Sequence, residues 1–524
     1  MISYKKPLFF PLLLVFLILL LPCGCSNTPE KAEEDFLNIT EKSTEDVNKD
    51  PKQVKLGFYF PGTQPKDWET VRNEIEKQIS GTVNASLDFK WLEYKSYMQT
   101  VQALSASQEP IDAFCCAKPQ EYYPDFIKMA RDGQLKDITD LFPQNAPSLY
   151  KKYSQQELEY ASVNGRLYAI PSLDPHAYAT YIMADDAMLK KYGINNIATY
   201  EEYEAYLKAV KKEDEKLIPG VISNSIQTLQ LFSRGSGYVI ADEMQNLVYK
   251  WDDAGMTLTA WEKTPEFRTA AGFLISWYKN GYLAANADFT KTTSFLYYGM
   301  LSPPQEETTK MTFSDGTGEI KESNPLRMFY LYPDNTVQRD SAMGSFYFNG
   351  SFVFNANSSN TERALMFLDW VQQSRSNYLL TCYGIENKHY ILQNDYPDLP
   401  KGMEYEDRTY YQWDGSWAFS NIDYLYGETA LPESDGMTPK EFLDKYSQYA
   451  PHGAFYPDYK TLGPVADQRA KAFSAFERRL EQGQITDVSE IDRFITELDE
   501  LGSDNLVTEA QKQLNEWNAQ RVGK

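Results

Sequence analysis

Phe346–Val371, FYFNGSFVFNANSSNTERALMFLDWV, changes its period partway along, and that change decides the fold. Phe346, Phe348, Phe352 and Phe354 recur at every second position, the pattern of a strand with one buried face. Gly350 interrupts the run and predicts a bend or bulge where the strand passes between environments. Ser359-Asn360-Thr361-Glu362 then places a hydroxyl and a carboxylate three apart, as in a capping box that satisfies orphan amides at a helix start. Ala364, Leu365, Leu368 and Val371 follow at helical spacing and give that helix one apolar face. By pattern alone this is a strand–turn–helix unit of an α/β protein.

Two motifs stand in order here. The helix reads Ser358-Ser359-Asn360-Thr361-Glu362-Arg363-Ala364-Leu365, and Tyr383-Gly384-Ile385-Glu386-Asn387-Lys388-His389-Tyr390 comes after it. Together they resemble the second crossover of bacterial extracellular solute-binding proteins, the lipoprotein receptors of ATP-driven importers, in the subgroup with an extra C-terminal region. Upstream, Asn164-Gly165-Arg166-Leu167-Tyr168-Ala169-Ile170-Pro171 is similar to the turn and strand that precede the family's first passage between lobes. Downstream, Trp417-Ala418-Phe419-Ser420-Asn421 is similar to a family segment with Trp followed by Gly-Asn, with Ser420 in place of the glycine. The closing stretch Glu509–Trp517 resembles the subgroup's helical C-terminal region. The resemblance covers about Val54 to Gln520, is densest from Gly344 onward, and thins at 220–330.

The resemblance implies an α/β, two-lobed periplasmic-binding-protein-like fold with crossover strands and a helical C-terminal region. Its expected parts are a lipoprotein signal peptide (1–24), an acidic flexible tether (25–51), a first part of lobe 1 (52–180) and a first part of lobe 2 (181–345). A return crossover with the second part of lobe 1 (346–410) and a mainly helical region packed on the lobes (411–524) complete the chain. The implied function is binding of a small polar solute between the lobes and delivery to the membrane permease subunits of an ABC importer. The implied protein is a monomer without enzymatic turnover, cofactor or metal.

Composition agrees with an external binding protein. A net charge of −23 argues against a nucleic-acid partner, because neutralising phosphates needs Lys/Arg surfaces. With 38 Tyr and 9 Trp, some aromatic rings must lie at surfaces or in a cleft, where they suit stacking on sugar rings. A carbohydrate or oligosaccharide is therefore the first choice of ligand, with short peptides or another polar solute left open. Of five cysteines, Cys23 and Cys25 belong to the leader. Cys115, Cys116 and Cys382 read as buried small side chains, with a single bridge to Cys382 left open.

The chain starts with Lys5 and Lys6, followed by the apolar run Leu8–Leu21, a length that fits a signal segment and falls short of a membrane span. Leu21-Pro22-Cys23-Gly24-Cys25 resembles a lipobox, with Pro22 where the pattern usually has Leu, and implies lipidation (palmitate) at Cys25. That would hold the protein to the outer face of the cell membrane, with plain secretion as the alternative. The polar stretch Ser26–Asp50 would span roughly 25–30 Å as a random coil.

Strands are predicted at Val54–Phe60, Ala85–Tyr94 and Ile111–Cys116, with helices at Asp67–Ile79 and Tyr97–Ala106, an order that implies parallel right-handed crossovers. Ligands sit beyond the carboxyl ends of such strands, which singles out Tyr59, Phe60, Glu93, Tyr94, Cys116 and Ala117. Further helices are expected at Asp185–Tyr192, Tyr200–Glu215 behind a Thr199–Glu202 capping box, and Thr264–Asn280. Three more follow at Val465–Leu480, Val488–Leu498 and Asp504–Gln520. Gln305–Ser323 reads as a hairpin or loop and Tyr396–Gly402 as a turn-rich break. The candidate ligand-binding residues are Tyr94, Asp174, His176, Trp413 and Trp417, at predicted strand ends or beside the late crossover. Trp413 leads, because Asp414 and Gly415 put it on a turn and off any periodic core face.

None of the H-E-x-x-H, paired C-x-x-C, P-loop, G-x-S-x-G or G-x-G-x-x-G motifs occurs. Asp315–Glu319 lacks the alternating ligands of an EF-hand loop. Two alternatives keep part of this reading. One is a lipid-anchored glycan hydrolase, whose paired acids are a spatial and not a sequence signal; the other is a ligand sensor without transport.

Overall fold

Leu56, Phe58 and Phe60 alternate inward from Val54–Pro61 (β1), and all three are fully buried. The helix Trp68–Ile79 (α1) leads to Ala85–Leu92 (β2), which pairs with β1 in parallel from Val54↔Ala85 to Pro61↔Leu92. Tyr94–Ala106 (α2) then returns the chain to Ala113–Cys116 (β3), parallel to β1 on its other side. Ser162–Val163 (β4) and Arg166–Leu167 (β5) form a hairpin around Asn164 and Gly165, both at positive φ. Ala169–Pro171 (β6) follows. Residues 52–107, 111–116, 124–173, 178–223, 228–284, 291–300, 308, 310, 312–314, 320–331, 351–393, 395–403, 411, 416–426, 441, 445, 450–453 and 455–522 are described in this computed structural model. The leader and tether, Ala117, Asp315–Glu319, Phe346, Phe348 and Gly350 lie outside them.

A second sheet begins after the first passage between lobes. Tyr178–Asp185 (β7) enters it, followed by the helices Asp186–Tyr192 (α3) and Tyr200–Glu213 (α4) and by Gly220–Ser223 (β8). α3 ends at Gly193, whose φ of 65° is the left-handed cap geometry that glycine adopts without strain. The Thr199–Glu202 capping box forms as the residues predict. Next come Thr228–Gly235 (α5), then Tyr238–Asp242 (β9), Leu247–Lys250 (β10) and Thr259–Ala260 (β11), which make a separate antiparallel sheet. Pro265–Lys279 (α6) is capped by Thr264 and buries Trp277 completely. Ser294–Met300 (β12) pairs with β7 and β8, and Leu326–Tyr330 (β15) pairs with β7, giving the order β15-β7-β12-β8. Between them, Thr312–Ser314 (β13) and Ile320–Glu322 (β14) form the expected hairpin.

The strand Ser351–Phe354 (β16) brings the chain back. It inserts antiparallel between β3 and β6 and completes the order β2-β1-β3-β16-β6. Phe352 meets Phe58, Phe60 and Phe419 at 5.8, 6.0 and 4.8 Å between centroids, so the returning strand closes the lobe-1 core. The capping box expected at Ser359 does not form. The helix starts at Thr361 (α7, Thr361–Gln373), its N-cap is Asn360, and no side chain caps it. The polar side chains turn instead to buried Asp112, which accepts from Ser358 Oγ at 2.6 Å, Asn360 Nδ2 at 3.3 Å and the Gly57 amide at 2.8 Å. Satisfying a buried carboxylate outweighs a solvent-side cap worth about 1 kcal/mol.

Arg375–Tyr383 (α8) precedes Ile391–Gln393 (β17) and Tyr396–Asp398 (β18), a hairpin turning at Asp395, so the first part of the break expected at Tyr396–Gly402 is a strand and the turn there falls at Lys401 and Gly402. Cys115, Cys116 and Cys382 are free and buried, and burial pushes each thiol pKa up. The C-terminal helices Gly463–Glu481 (α9), Ser489–Glu500 (α10) and Ser503–Val522 (α11) follow the expected amphipathic periods. They pack around the β9–β11 sheet, which has a different core on each face. Val239, Ala241, Leu247 and Tyr249 join the lobe-1 core with Leu506, Ala510 and Leu514. Tyr238, Ile240 and Val248 join the lobe-2 core with Phe473, Phe476 and Leu480.

Candidate functional site

The chain passes between the two main sheets from Leu173 to Tyr178 and from Leu331 to Ser351. In lobe 1 these passages leave one edge, where β1 and β3 end at Pro61 and Cys116 and Ser351 pairs with both Cys116 and Pro171. In lobe 2 they meet the edge at which Tyr178 pairs with Met300 and β8 ends at Ser223. Both passages therefore run between these two edges, and the carboxyl ends of the parallel strands β1, β3 and β8 lie at them, the usual place for a ligand in open α/β sheets. Near the lobe-2 edge, Tyr297, Tyr181 and Tyr330 form a row across three strands, with centroids 5.1 and 6.0 Å apart.

Lobe 1 contributes a cavity of about 440 Å³ at the carboxyl ends of β1 and β2. Gly62, Thr63 and Gln64 after β1 and Glu93 after β2 form one side; Trp68, Glu69 and Arg72 of α1 and Leu87–Trp91 of β2 form the rest. Its volume lies in the range of small-ligand sites. Trp91 is half-buried, with its ring held edge-on by Trp68 at 5.2 Å. Four of the five charged lining residues are tied to one another, Arg72 to Glu69 at 2.5 Å and Lys90 to Asp88 at 2.8 Å, with Lys55 also on Asp88 at 3.0 Å, and Glu93 adds an exposed carboxylate at the end of β2. Burial opposes the Asp88 charge, yet the two ammonium groups hold its pKa below the usual carboxylate value. Such a wall offers fixed donors and acceptors beside an aromatic face.

The five candidate residues fall in different places. Tyr94 is the half-buried first residue of α2, not a strand end, because β2 stops at Leu92; it follows Glu93 of the cavity. Trp417 is half-buried in the 3₁₀ turn Ser416–Phe419, packed on the lobe-1 core. Asn421, just after it, bridges to Leu173 at the first passage. Tyr94 thus follows the edge strand β2, while Trp417 belongs to a turn whose Phe419 ring lies 5.7 Å from Phe60 and 4.8 Å from Phe352, over the middle of the sheet. Asp174, His176 and Trp413 lie outside the described residues. Of the other strand-end residues, Phe60 and Cys116 are fully buried and face the core. Sequence reasoning missed Trp91 and Arg72. Period two puts Trp91 on the core face with Phe89, and Arg72 reads as a solvated helix position; only the open margin of β2 exposes them to one cavity.

Residues 455–519 match a family described as a domain of unknown function, DUF3502. A carbohydrate ABC transporter substrate-binding protein of Streptococcus pneumoniae serotype 4 is 21% identical over 492 residues, covering 92% of this chain and 94% of the relative. Among solved structures, the N-glycan transport solute-binding protein NgtS of Streptococcus pneumoniae superposes with a TM-score of 0.67 at 18% identity, covering 89% of this chain and 99% of that one. The substrate-binding protein FusA of S. pneumoniae, in complex with kestose, has a TM-score of 0.57 at 15% identity, with 90% and 100% covered. Those likenesses run over both lobes and the C-terminal helices, the same extent as the two-sheet architecture and its double passage. The chain thus has the two-lobed α/β fold of these solute-binding proteins, with a helical C-terminal region.

Proposed function

We propose that this protein captures an oligosaccharide between its lobes and delivers it to the permease of its importer. The observation that carries this reading is the lobe-1 cavity, where Trp91 stands beside the ion pairs Arg72–Glu69 and Lys90–Asp88. A hydroxyl-rich, uncharged ring matches that wall: its apolar face stacks on the indole and its hydroxyls meet fixed polar groups. Tyr94 beside the cavity and Trp417 beside Leu173 belong to the same reading, with Asp174, His176 and Trp413 as the further candidate contacts. Ligand held by both lobes favours the closed form through its higher affinity for it. In a calorimetric screen of neutral oligosaccharides that includes Man5GlcNAc and kestose, at least one should bind. Trp91→Ala should then weaken it about thirtyfold, the loss typical of an aromatic hot spot. Unchanged affinity in that variant would remove the cavity from the site.

The protein acts at the outer face of the membrane, held there by acyl chains on Cys25. Gly24 before Cys25, after a short apolar run, supports this. Cys25→Ser should move the protein from the membrane fraction into the medium; retention of the variant on membranes would count against the anchor.

A further inference from the structure

The loop between β1 and α1 lines the cavity, and that loop ends on an unusual cap. Asp67 is the N-cap of α1, yet its carboxylate accepts no amide of its own helix. Oδ2 instead lies 2.8 Å from His389 Nε2 and 2.5 Å from Lys388 Nζ, while Oδ1 accepts from Thr70 Oγ1 at 3.0 Å. His389 is held on its other side: its Nδ1 accepts the Ile385 amide at 2.8 Å, so the proton sits on Nε2 and is donated to Asp67. The imidazole stacks on Tyr411 at 5.2 Å and lies against Gly384. A Cβ there would come 2.5 Å from Nδ1, and the φ of 87° favours glycine as well. The Tyr383–Tyr390 motif therefore builds a rigid mount for one neutral imidazole.

We propose that His389 is a positioning residue for the ligand site: as neutral imidazole it holds Asp67, and through Asp67 the loop Gly62–Gln64 and the α1 residues that line the lobe-1 cavity. This rests on the reading of that cavity as part of the ligand site. Protonation would set an Nδ1–H against the Ile385 N–H and take away the turn's acceptor. The groups facing the imidazole are Asp67 from the start of α1, Lys388 from its own turn and the Tyr411 ring. Burial lowers the His389 pKa, Asp67 raises it and Lys388 lowers it, with a net downward direction. Burial raises the Asp67 pKa, but hydrogen bonds from Lys388, His389 and Thr70 bring it down to about 2. With the folded pKa depressed, the acceptor contact of Nδ1 with the Ile385 amide is fully present above the unfolded value of about 6.5 and is lost as pH falls through the folded one.

Two variants separate latch from mount. In His389→Asn the side-chain oxygen replaces Nδ1 as the Ile385 acceptor and the donor to Asp67 is lost. In His389→Gln the amide nitrogen replaces Nε2 and nothing titrates. Hydrogen exchange on the free full-length protein should show the peptide over residues 58–70 exchanging at least about tenfold faster in His389→Asn at neutral pH, the factor for one charge-assisted hydrogen bond. Corrected for intrinsic rates, the same peptide should loosen in wild type as the pH is lowered stepwise below about 6.5 and stay pH-independent in His389→Gln. Affinity for Man5GlcNAc, or for the best binder in the screen, should follow the same pattern. Unchanged exchange in His389→Asn overturns the latch whatever binds. Faster exchange with unchanged affinity overturns its role in binding. Failure of the oligosaccharide reading looks different, since wild type itself then binds no member of the screen and exchange alone decides for or against the latch.

Discussion

Arg469→Met is expected to destabilise the protein by about 3–5 kcal/mol, read as a lower urea midpoint. Arg469 and Glu262 have 1% and 0% of their side chains exposed and form a two-pronged pair, Nη1 to Oε1 at 2.5 Å and Nη2 to Oε2 at 2.9 Å. The guanidinium also donates to Ser503 Oγ at 2.6 Å and to the Gln245 carbonyl at 2.8 Å. One side chain of α9 thereby joins the β9–β10 turn, the 3₁₀ turn Trp261–Lys263 and the start of α11. Removing the cation alone leaves a carboxylate buried without its counter-charge, which costs more than the pair contributes. The double variant Arg469→Met/Glu262→Leu should therefore recover most of the loss. A single variant as stable as wild type would show that the pair does not hold the C-terminal helices in place.

Phe352→Ala should cost a further-reaching 3–5 kcal/mol or about that, the usual range for emptying an aromatic site in a packed core. Its ring is 2% exposed and lies where β16 brings the returning chain against Phe58, Phe60 and Phe419. Phe352→Leu keeps much of the volume and should cost less than about 1.5 kcal/mol. Loss of near-ultraviolet circular dichroism with retained far-ultraviolet signal would mark the Ala variant as loosened in packing rather than unfolded. A cost below about 1 kcal/mol would mean that lobe 1 closes without the returning strand's aromatic contact.

Local chemistry made much of this legible in the chain itself. β1, β2 and β3, the helices after Asp185, Thr199 and Thr264, and the three C-terminal helices are periodic in apolar residues, and a period needs only near neighbours to be read. Thr199 caps its helix by accepting the Glu202 amide only three residues on, and Glu202 completes the box. The family motifs pointed to two lobes for the same reason: they are contiguous stretches.

Tertiary structure decided the rest, wherever a side chain had two partners to choose between. Ser358 and Asn360 carry cap-forming chemistry, but Asp112, some 250 residues earlier in the chain, claims them. Asp67 stands at an N-cap and turns its carboxylate to His389, 322 residues later. The β9–β11 strands divide their faces between two cores, which alternation alone cannot assign to partners. Trp91 has the period of a core residue and faces a cavity because β2 is the last strand of its sheet. Periodicity says that a side chain is covered or polar; which group covers or satisfies it is fixed by contacts across hundreds of residues, and that is where the candidate site lies.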